Sequence, residues 1–314
     1  GGTRTAEQTA SDNASVQWSE QSTTATTVDG VSLYYDTNGY PALGSVTELH
    51  TINYYDGYNT TRDGIAKPSG QVLGQDQATD VTGLPTAAKV RVLGTTSWTT
   101  TLTVYDKKGR SIWTQTDNSY LGTTDVMKIE LDFAGKAKQS LTEHTKGANA
   151  TITTTDTFAY DHTGRLVQQQ QTLGGQTETL FLNRYDNLGQ LVLKNVGNTI
   201  GDPLQTVDYT YNVRGWLKAI NNPSSLGSDL FAFGINYNTV SHSGTALYNG
   251  NIAETEWRTA NTDNALKWYR YGYDALNRIT SATDITGKYN VSGIGYDKNG
   301  NIMSLKREGC TVAN

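Results

Sequence analysis

Apolar and polar side chains alternate in several short segments of the chain. In 207–211 every second residue is Val or Tyr, in 269–273 every second residue is Tyr, and Phe158 and Tyr160 continue the pattern. A period of two places alternate side chains on opposite faces of a β-strand, whereas an α-helix repeats every 3.6 residues. The pattern therefore predicts strands.

These segments end in a six-residue motif of the form Tyr-Asp-x-x-Gly-Arg. Its copies are YDKKGR at 105–110, YDHTGR at 160–165, YDNLGQ at 185–190 and YDKNGN at 296–301, with looser copies LDFAGK at 131–136, YNVRGW at 211–216 and YDALNR at 273–278. An Asp side chain accepts hydrogen bonds from backbone N–H groups two residues on, and Gly adopts the positive φ that closes a short hairpin with a bulge. Asn277 replaces Gly in one copy, and Asn is the residue that next best tolerates that conformation. Each motif is predicted to turn one strand into the next.

The copies recur at nearly regular intervals. They begin at residues 105, 131, 160, 185, 211, 237 (a degenerate copy, YNTVSH), 273 and 296, and an apolar residue usually follows each turn. A period of 20–50 residues is typical of stacked repeats. In such folds neighbouring units cover the apolar face that a single hairpin would leave exposed to water. We predict that cross-strand Tyr pairs join the units. The residues of this structural signature are Tyr105, Asp106, Gly109, Arg110, Tyr160, Asp161, Gly164, Arg165, Tyr185, Asp186, Gly189, Tyr211, Gly215, Tyr273, Asp274, Arg278, Tyr296, Asp297 and Gly300.

Motif and spacing together resemble the YD-repeat, or RHS, family, over residues 105–305 and more weakly back to YYDTNGYP at 34–41 and YYDGYN at 54–59. That family includes bacterial polymorphic toxins, cocoon subunits of insecticidal toxins and animal teneurins. Stretches such as YTYNVRGWLKAINNP at 209–223 are similar to the version in Bacteroidetes surface and secreted proteins. The resemblance implies an all-β fold in which tandem β-hairpin YD repeats form one long spiralling antiparallel sheet, part of a hollow shell.

The resemblance also implies a function. The shell commonly encloses a C-terminal toxin domain, so the expected partners are the rest of the same polypeptide, secretion machinery and cell-surface glycans, at a secreted or cell-surface location. Neither the self-cleaving protease segment of many members nor a toxin domain is recognisable up to Asn314. Eight or nine hairpins make a sheet roughly 80 Å wide, about half of the wall needed to enclose a small guest domain. We therefore expect a non-enzymatic wall segment; the alternatives are an adhesin or carbohydrate-binding module and, third, a hydrolase.

Composition narrows the possible partners. Net charge is −5 with 18% charged residues and no long basic run, which argues against nucleic acid. No apolar run approaches the 18 residues of a transmembrane helix. Cys310 is the single cysteine, which excludes an intrachain disulfide and a multi-cysteine metal site, and it is expected to be an ordinary thiol. The chain begins Gly1-Gly2-Thr3, from which we expect processing, truncation or origin within a longer protein.

Several residues have a catalytic or ligand-binding alternative. The repeated Asp residues suggest paired carboxylates for acid–base catalysis, but one turn role explains all of them at once. DKNG at Asp297 and DTNG at Asp36 resemble calcium loops only faintly, because the full ligand spacing is missing. The four histidines lack metal-ligand spacing, and no cofactor motif occurs. Trp98, Trp113, Trp216, Trp257 and Trp268 could stack on sugars if exposed together, although sheet packing is the commoner role.

The chain divides into three predicted parts. Residues 1–30 are expected to be irregular or an edge segment, 31–100 to hold degenerate β-repeats with a loop at 57–77, and 101–314 to be a regular YD-repeat sheet continuous with 31–100. The long interval between Tyr237 and Tyr273 is expected to hold a further strand pair built on 248–251.

Overall fold

The computed structural model describes residues 3–36, 38–40, 42–43, 46–58, 64–261 and 263–309. Within these residues the chain forms a short helix and twenty strands. The elements are α1 (Arg4–Asp12), β1 (Gln21–Val28), β2 (Val31–Tyr35), β3 (Thr51–Tyr55), β4 (Pro85–Arg91), β5 (Trp98–Tyr105), β6 (Ser111–Asn118), β7 (Thr123–Leu131), β8 (Ala137–Lys146), β9 (Ile152–Tyr160), β10 (Leu166–Leu173), β11 (Gln176–Tyr185), β12 (Leu191–Val196), β13 (Gln205–Tyr211), β14 (Leu217–Ile220), β15 (Phe231–Asn236), β16 (Glu254–Thr259), β17 (Lys267–Tyr273), β18 (Ile279–Asp284), β19 (Val291–Tyr296) and β20 (Ile302–Arg307). Among the described residues, no helix has the length and apolar character needed to cross a membrane.

The chain forms two compact units, unit 1 (residues 1–159 and 170–177) and unit 2 (160–169 and 178–314). In unit 1, strands β3 to β9 pair antiparallel in chain order. Residues 1–30, expected to be irregular or an edge segment, contain α1 and β1, and β1 pairs with β2 in a separate hairpin. Val28, Val31 and Leu33 of this hairpin join the buried core beneath it. That core also contains Ile52, Tyr54, Ile65, Val72, Ala87, Trp98, Leu102, Val104, Ile112 and Trp113.

Unit 2 has far less fully buried apolar surface. Strands β11 to β20 again pair antiparallel in chain order. Most strand side chains are half-buried, and the buried hydrophobic residues in the described part of unit 2 are Leu226, Ala232, Ala253 and Ala282. A sheet with two partly wet faces needs local bonds between neighbouring hairpins in place of a large core.

The predicted fold class, an all-β chain of tandem antiparallel hairpins, is confirmed. Strand pairing shifts by one residue immediately before the repeat tyrosine, as at Tyr105, Tyr185, Tyr211 and Tyr273. Each shift is a β-bulge of the kind predicted from the turn sequence. At each bulge one residue of the second strand has no partner opposite it, as at Ile112 between the pairs Val104–Trp113 and Tyr105–Ser111. The extra residue lies shortly after the glycine turn.

The strand pair expected around 248–251 is found only on the C-terminal side of that turn, where β16 (Glu254–Thr259) pairs with β15 and β17. Residues 237–253 form a long connection without a strand, in which Asn249 and Asn251 make a turn just before β16. Backbone N–H groups of Ser241, His242 and Gly244 in this connection donate to the Glu254 side chain, and not to a neighbouring strand.

Candidate functional site

The turn at 106–110 is closed by hydrogen bonds among its own signature residues. The Asp106 N–H donates to the Arg110 carbonyl (2.8 Å), and the Gly109 N–H donates to the Asp106 carbonyl (2.9 Å). Asp106 Oδ1 accepts the backbone N–H groups of Lys108 (2.8 Å) and Arg110 (2.9 Å). Asp106 Oδ2 accepts Nε–H of Arg110 at 2.7 Å, and Gly109 has φ +73°. The carboxylate is thus occupied by the turn itself.

The same geometry recurs in the other turns. In each, the backbone N–H four residues after the Asp or Asn donates to its side-chain oxygen at 2.8 to 3.0 Å. The acceptor residues are Asp132, Asp161, Asp186, Asn212, Asp274 and Asp297. Asn277 occupies the glycine position of its turn with φ +62°, as the sequence predicts.

These hydrogen bonds favour ionised carboxylates. Burial alone would raise the pKa of Asp106, but the side-chain and backbone hydrogen bonds from Arg110 hold that pKa below its usual range. The Arg278 backbone N–H and guanidinium lower the pKa of Asp274, and the Asn301 side chain and backbone lower that of Asp297. A general acid at neutral pH needs a raised pKa instead. The turn carboxylates therefore resemble structural acceptors more than catalytic groups.

The repeat tyrosines bond each hairpin to the one before it. Six of them donate the hydroxyl, at 2.6 to 3.2 Å, to a backbone carbonyl near the start of the strand that follows the preceding turn. The donor–acceptor pairs are Tyr105–Pro85, Tyr185–Leu166, Tyr211–Leu191, Tyr237–Leu217, Tyr273–Ile252 and Tyr296–Ile279. Tyr237 keeps this bond although its motif is degenerate. Tyr160 ends β9.

The turn arginines bond in the opposite direction, towards the next hairpin. The guanidinium of Arg165 lies 4.5 Å from the ring centre of Tyr185, and that of Arg278 lies at the same distance from Tyr296. A Cβ on Gly189 would lie 3.0 Å from Arg165, so this glycine supplies space as well as positive φ. Tyrosine and arginine together link successive turns in both directions along the sheet.

The histidines are dispersed. His50 lies 3.3 Å from Glu48, His144 lies 2.6 Å from Asp125, and His162 is at an exposed turn tip. Over the residues that the structure describes, no group of three or more His, Cys, Asp or Glu side chains could hold a metal ion. Cys310, and Thr37 of the Asp36 segment, lie outside those residues.

The tryptophans are not exposed together. Trp98 and Trp113 are buried in the core of unit 1, whereas Trp216, Trp257 and Trp268 are half-buried in unit 2. Trp216 packs against Tyr237 at 5.2 Å between ring centres. These contacts fit the sheet-packing role.

Unit 1 contains an open cleft of about 610 Å³ beside the turn of the β1–β2 hairpin. The buried side chains of Lys89 and Trp98 line it, with the Lys89 ammonium 5.4 Å from the indole centre. Asp117, Asn118 and Thr124 line it as well. The volume is within the usual range of small-molecule pockets. No residue pattern in the sequence indicated this cleft.

Glu254 in unit 2 is a second feature that the sequence did not indicate. Its carboxylate is fully buried and accepts the backbone N–H groups of Ser241 (2.7 Å), His242 (2.9 Å) and Gly244 (2.7 Å). The His242 ring stacks on Trp268 and lies 2.6 Å from Glu256. Burial would raise the pKa of Glu254, but the three backbone bonds lower it. Glu254 therefore fixes the 237–253 connection against the sheet.

Comparison with known proteins adds no assignment. No protein-family model matches the chain, and no curated protein matches it significantly in sequence.

Proposed function

We propose that the chain is a non-enzymatic wall segment of a secreted or cell-surface YD-repeat protein. Its role is mechanical, because a sheet of linked hairpins shields or displays another part of the same polypeptide. The family resemblance implies that this part is a C-terminal toxin domain. Spiralling of the sheet into a hollow shell belongs to this proposal.

One observation carries the proposal. The signature residues bond to one another: Asp closes its own turn, Arg packs on the next hairpin, and the Tyr hydroxyl bonds to the previous one. A catalytic site requires polar groups that are available to a substrate. Residues engaged in this way stabilise a repeated wall.

Limited proteolysis of the natural full-length polypeptide tests the proposal. We expect the segment after the repeats to resist protease, and to become cleavable when Asp106→Asn and Gly189→Ala weaken two turns. Asp125→Asn is the control, because Asp125 pairs with His144 across β7 and β8, outside the signature turns. Equal cleavage of that segment in the wild type and in both kinds of variant would contradict the wall function.

The cleft in unit 1 favours a carbohydrate-binding module as the second candidate. Aromatic, amide, hydroxyl and carboxylate groups line it together, at Trp98, Asn118, Thr124 and Asp117. A glycan array tests this function, and Trp216→Ala, outside the cleft, is the control. Binding that is lost in Asp117→Asn and kept in Trp216→Ala would support carbohydrate binding in addition to the wall function. Glycan binding lost instead in Trp216→Ala would move the sugar site to unit 2.

A further inference from the structure

Four successive turns of unit 2 each carry an apolar side chain at the tip. Leu188 is 84%, Val213 104%, Tyr248 69% and Leu276 70% exposed to solvent. Single exposed apolar residues are ordinary on protein surfaces. One on each of four neighbouring turns is not accounted for by the turn geometry, which asks only for Asp or Asn and for glycine or asparagine.

These turns lie next to one another at one edge of the unit 2 sheet. The connections that contain them follow β11, β13, β15 and β17, which run in the same direction because all strands pair antiparallel in order. Contacts join the turns: Arg214 Nη1–H donates to the Tyr248 carbonyl (3.5 Å), and Asn249 Nδ2–H donates to Asn277 Oδ1 (2.6 Å). Two strands separate neighbouring turns, so the tips are spaced about 10 Å apart.

The formal charge of this edge is balanced. The turns at this edge carry four carboxylates and four cations, a net charge of zero. The carboxylates are Asp161, Asp186, Asp274 and Asp297, and the cations are Arg165, Arg214, Arg278 and Lys298. The turns at the two ends of the row have polar tips, His162 and Lys298. An edge with apolar tips and no net charge is suited to an uncharged or zwitterionic partner.

We propose that the tips Leu188, Val213, Tyr248 and Leu276 dock unit 2 on a lipid surface by entering its headgroup region. A stable protein interface buries about 800 Å² and 20–30 residues on each side, with closely complementary shape. Four separate tips fall far short of that. A fluid lipid surface adapts to each tip and needs no complementary shape. Apolar side chains partition into its headgroup region.

Vesicle co-sedimentation tests the proposal. The probes are phosphatidylcholine vesicles, with and without phosphatidylserine, at low and high NaCl. We expect the chain to bind both vesicle types with little dependence on salt, and the triple variant Leu188→Ser/Val213→Ser/Leu276→Ser to bind at least tenfold more weakly. The matched control, Ile200→Ser/Leu204→Ser/Leu230→Ser, removes exposed apolar residues from the opposite edge and should bind like the wild type.

Three results would overturn the proposal: no vesicle binding by the wild type, equal binding by the triple variant, or equal loss in the control. Analytical ultracentrifugation tests the alternative partner, a second copy of the chain. If the wild type does not bind vesicles but forms a dimer that the triple variant does not form, the tips are a dimer contact. If the triple variant fails to fold, Val213→Trp replaces it. Its fluorescence should shift to the blue with vesicles, whereas that of Leu230→Trp should not.

Discussion

At the scale of single residues, the turn Asp combines three acceptor contacts in one side chain. Asp106 bonds two backbone N–H groups and the Arg110 guanidinium, whereas Asp186 has Gln190 at the arginine position and keeps only the backbone bonds. Asn212 makes the same two backbone bonds without any charge. The backbone bonds therefore close the turn, and the charge adds to the link with arginine.

Asp106→Asn is expected to lower the free energy of unfolding by about 1–2 kcal/mol, since it removes a charge-assisted bond from a buried carboxylate. Asp186→Asn should cost less, because no arginine partner is lost. Because the pKa of Asp106 is lowered in the fold, its stabilisation is present above the unfolded pKa and is lost as pH falls through the folded pKa. Urea unfolding at neutral and acid pH measures both effects. Equal costs for the two substitutions at neutral pH would contradict this role of arginine.

The turn glycine has two separable functions. Gly189 and Gly300 both have positive φ, +84° and +87°, but only a Cβ on Gly189 would contact Arg165; nothing lies within 4 Å of one on Gly300. Gly300→Ala is expected to cost about 1–2 kcal/mol from backbone strain. Gly189→Ala should cost roughly a further 0.5–1 kcal/mol, since the Arg165 guanidinium must shift from its place over the Tyr185 ring. Thermal or urea unfolding of both variants gives the difference, and a larger cost for Gly300→Ala would argue against close contact between turns.

At the scale of elements, the tyrosine hydroxyls join each hairpin to its predecessor. Tyr211→Phe removes the hydroxyl that donates to the Leu191 carbonyl and should cost about 0.5–1.5 kcal/mol. Tyr209→Phe is the matched control, two residues earlier on the same face of β13. Urea unfolding should show little change for it. Identical effects of the two substitutions would mean that the hydroxyl bond contributes nothing.

The 237–253 connection depends on Glu254. Because the pKa of Glu254 is lowered in the fold, its hold on the connection is full above the unfolded pKa and weakens as pH falls through the folded value. We expect the protection factors of the Ser241, His242 and Gly244 amides, which compare the observed exchange rate with the intrinsic rate at the same pH, to fall at acid pH and in Glu254→Gln at neutral pH. Hydrogen exchange by NMR measures this. Glu143→Gln, in a half-exposed pair with Lys128, is the control and should leave those amides unchanged.

Sequence reasoning predicted the local parts of these elements and missed the non-local ones. The alternation, the Asp acceptor and the positive φ at glycine or Asn277 are set by neighbours within a few residues, so the motif indicates them. The carbonyl that Tyr211 reaches lies twenty residues away, and the amides that Glu254 holds lie ten to thirteen residues away. Neither spacing has a sequence signature. The cover of β1–β2 over the unit 1 core likewise depends on tertiary packing.

At the scale of the whole molecule, each unit repeats one hairpin in chain order, and stability is distributed over links between neighbours. Such arrays behave approximately as a sum of unit stabilities and nearest-neighbour terms. Unit 1 adds a buried core under its N-terminal hairpin, whereas unit 2 relies more on the turn links. The wall function proposed for the chain requires that these links contribute measurably to the free energy of unfolding.

A double-mutant cycle between Arg165 and Tyr185 measures one such link directly, because the two side chains belong to successive turns and lie 4.5 Å apart. Arg165→Gln, the residue found naturally at 190, and Tyr185→Leu are combined, and urea unfolding gives the free energy of each variant. We predict a favourable coupling of about 0.5–1 kcal/mol. A coupling of zero, with each substitution acting alone, would contradict the account of hairpins joined turn to turn.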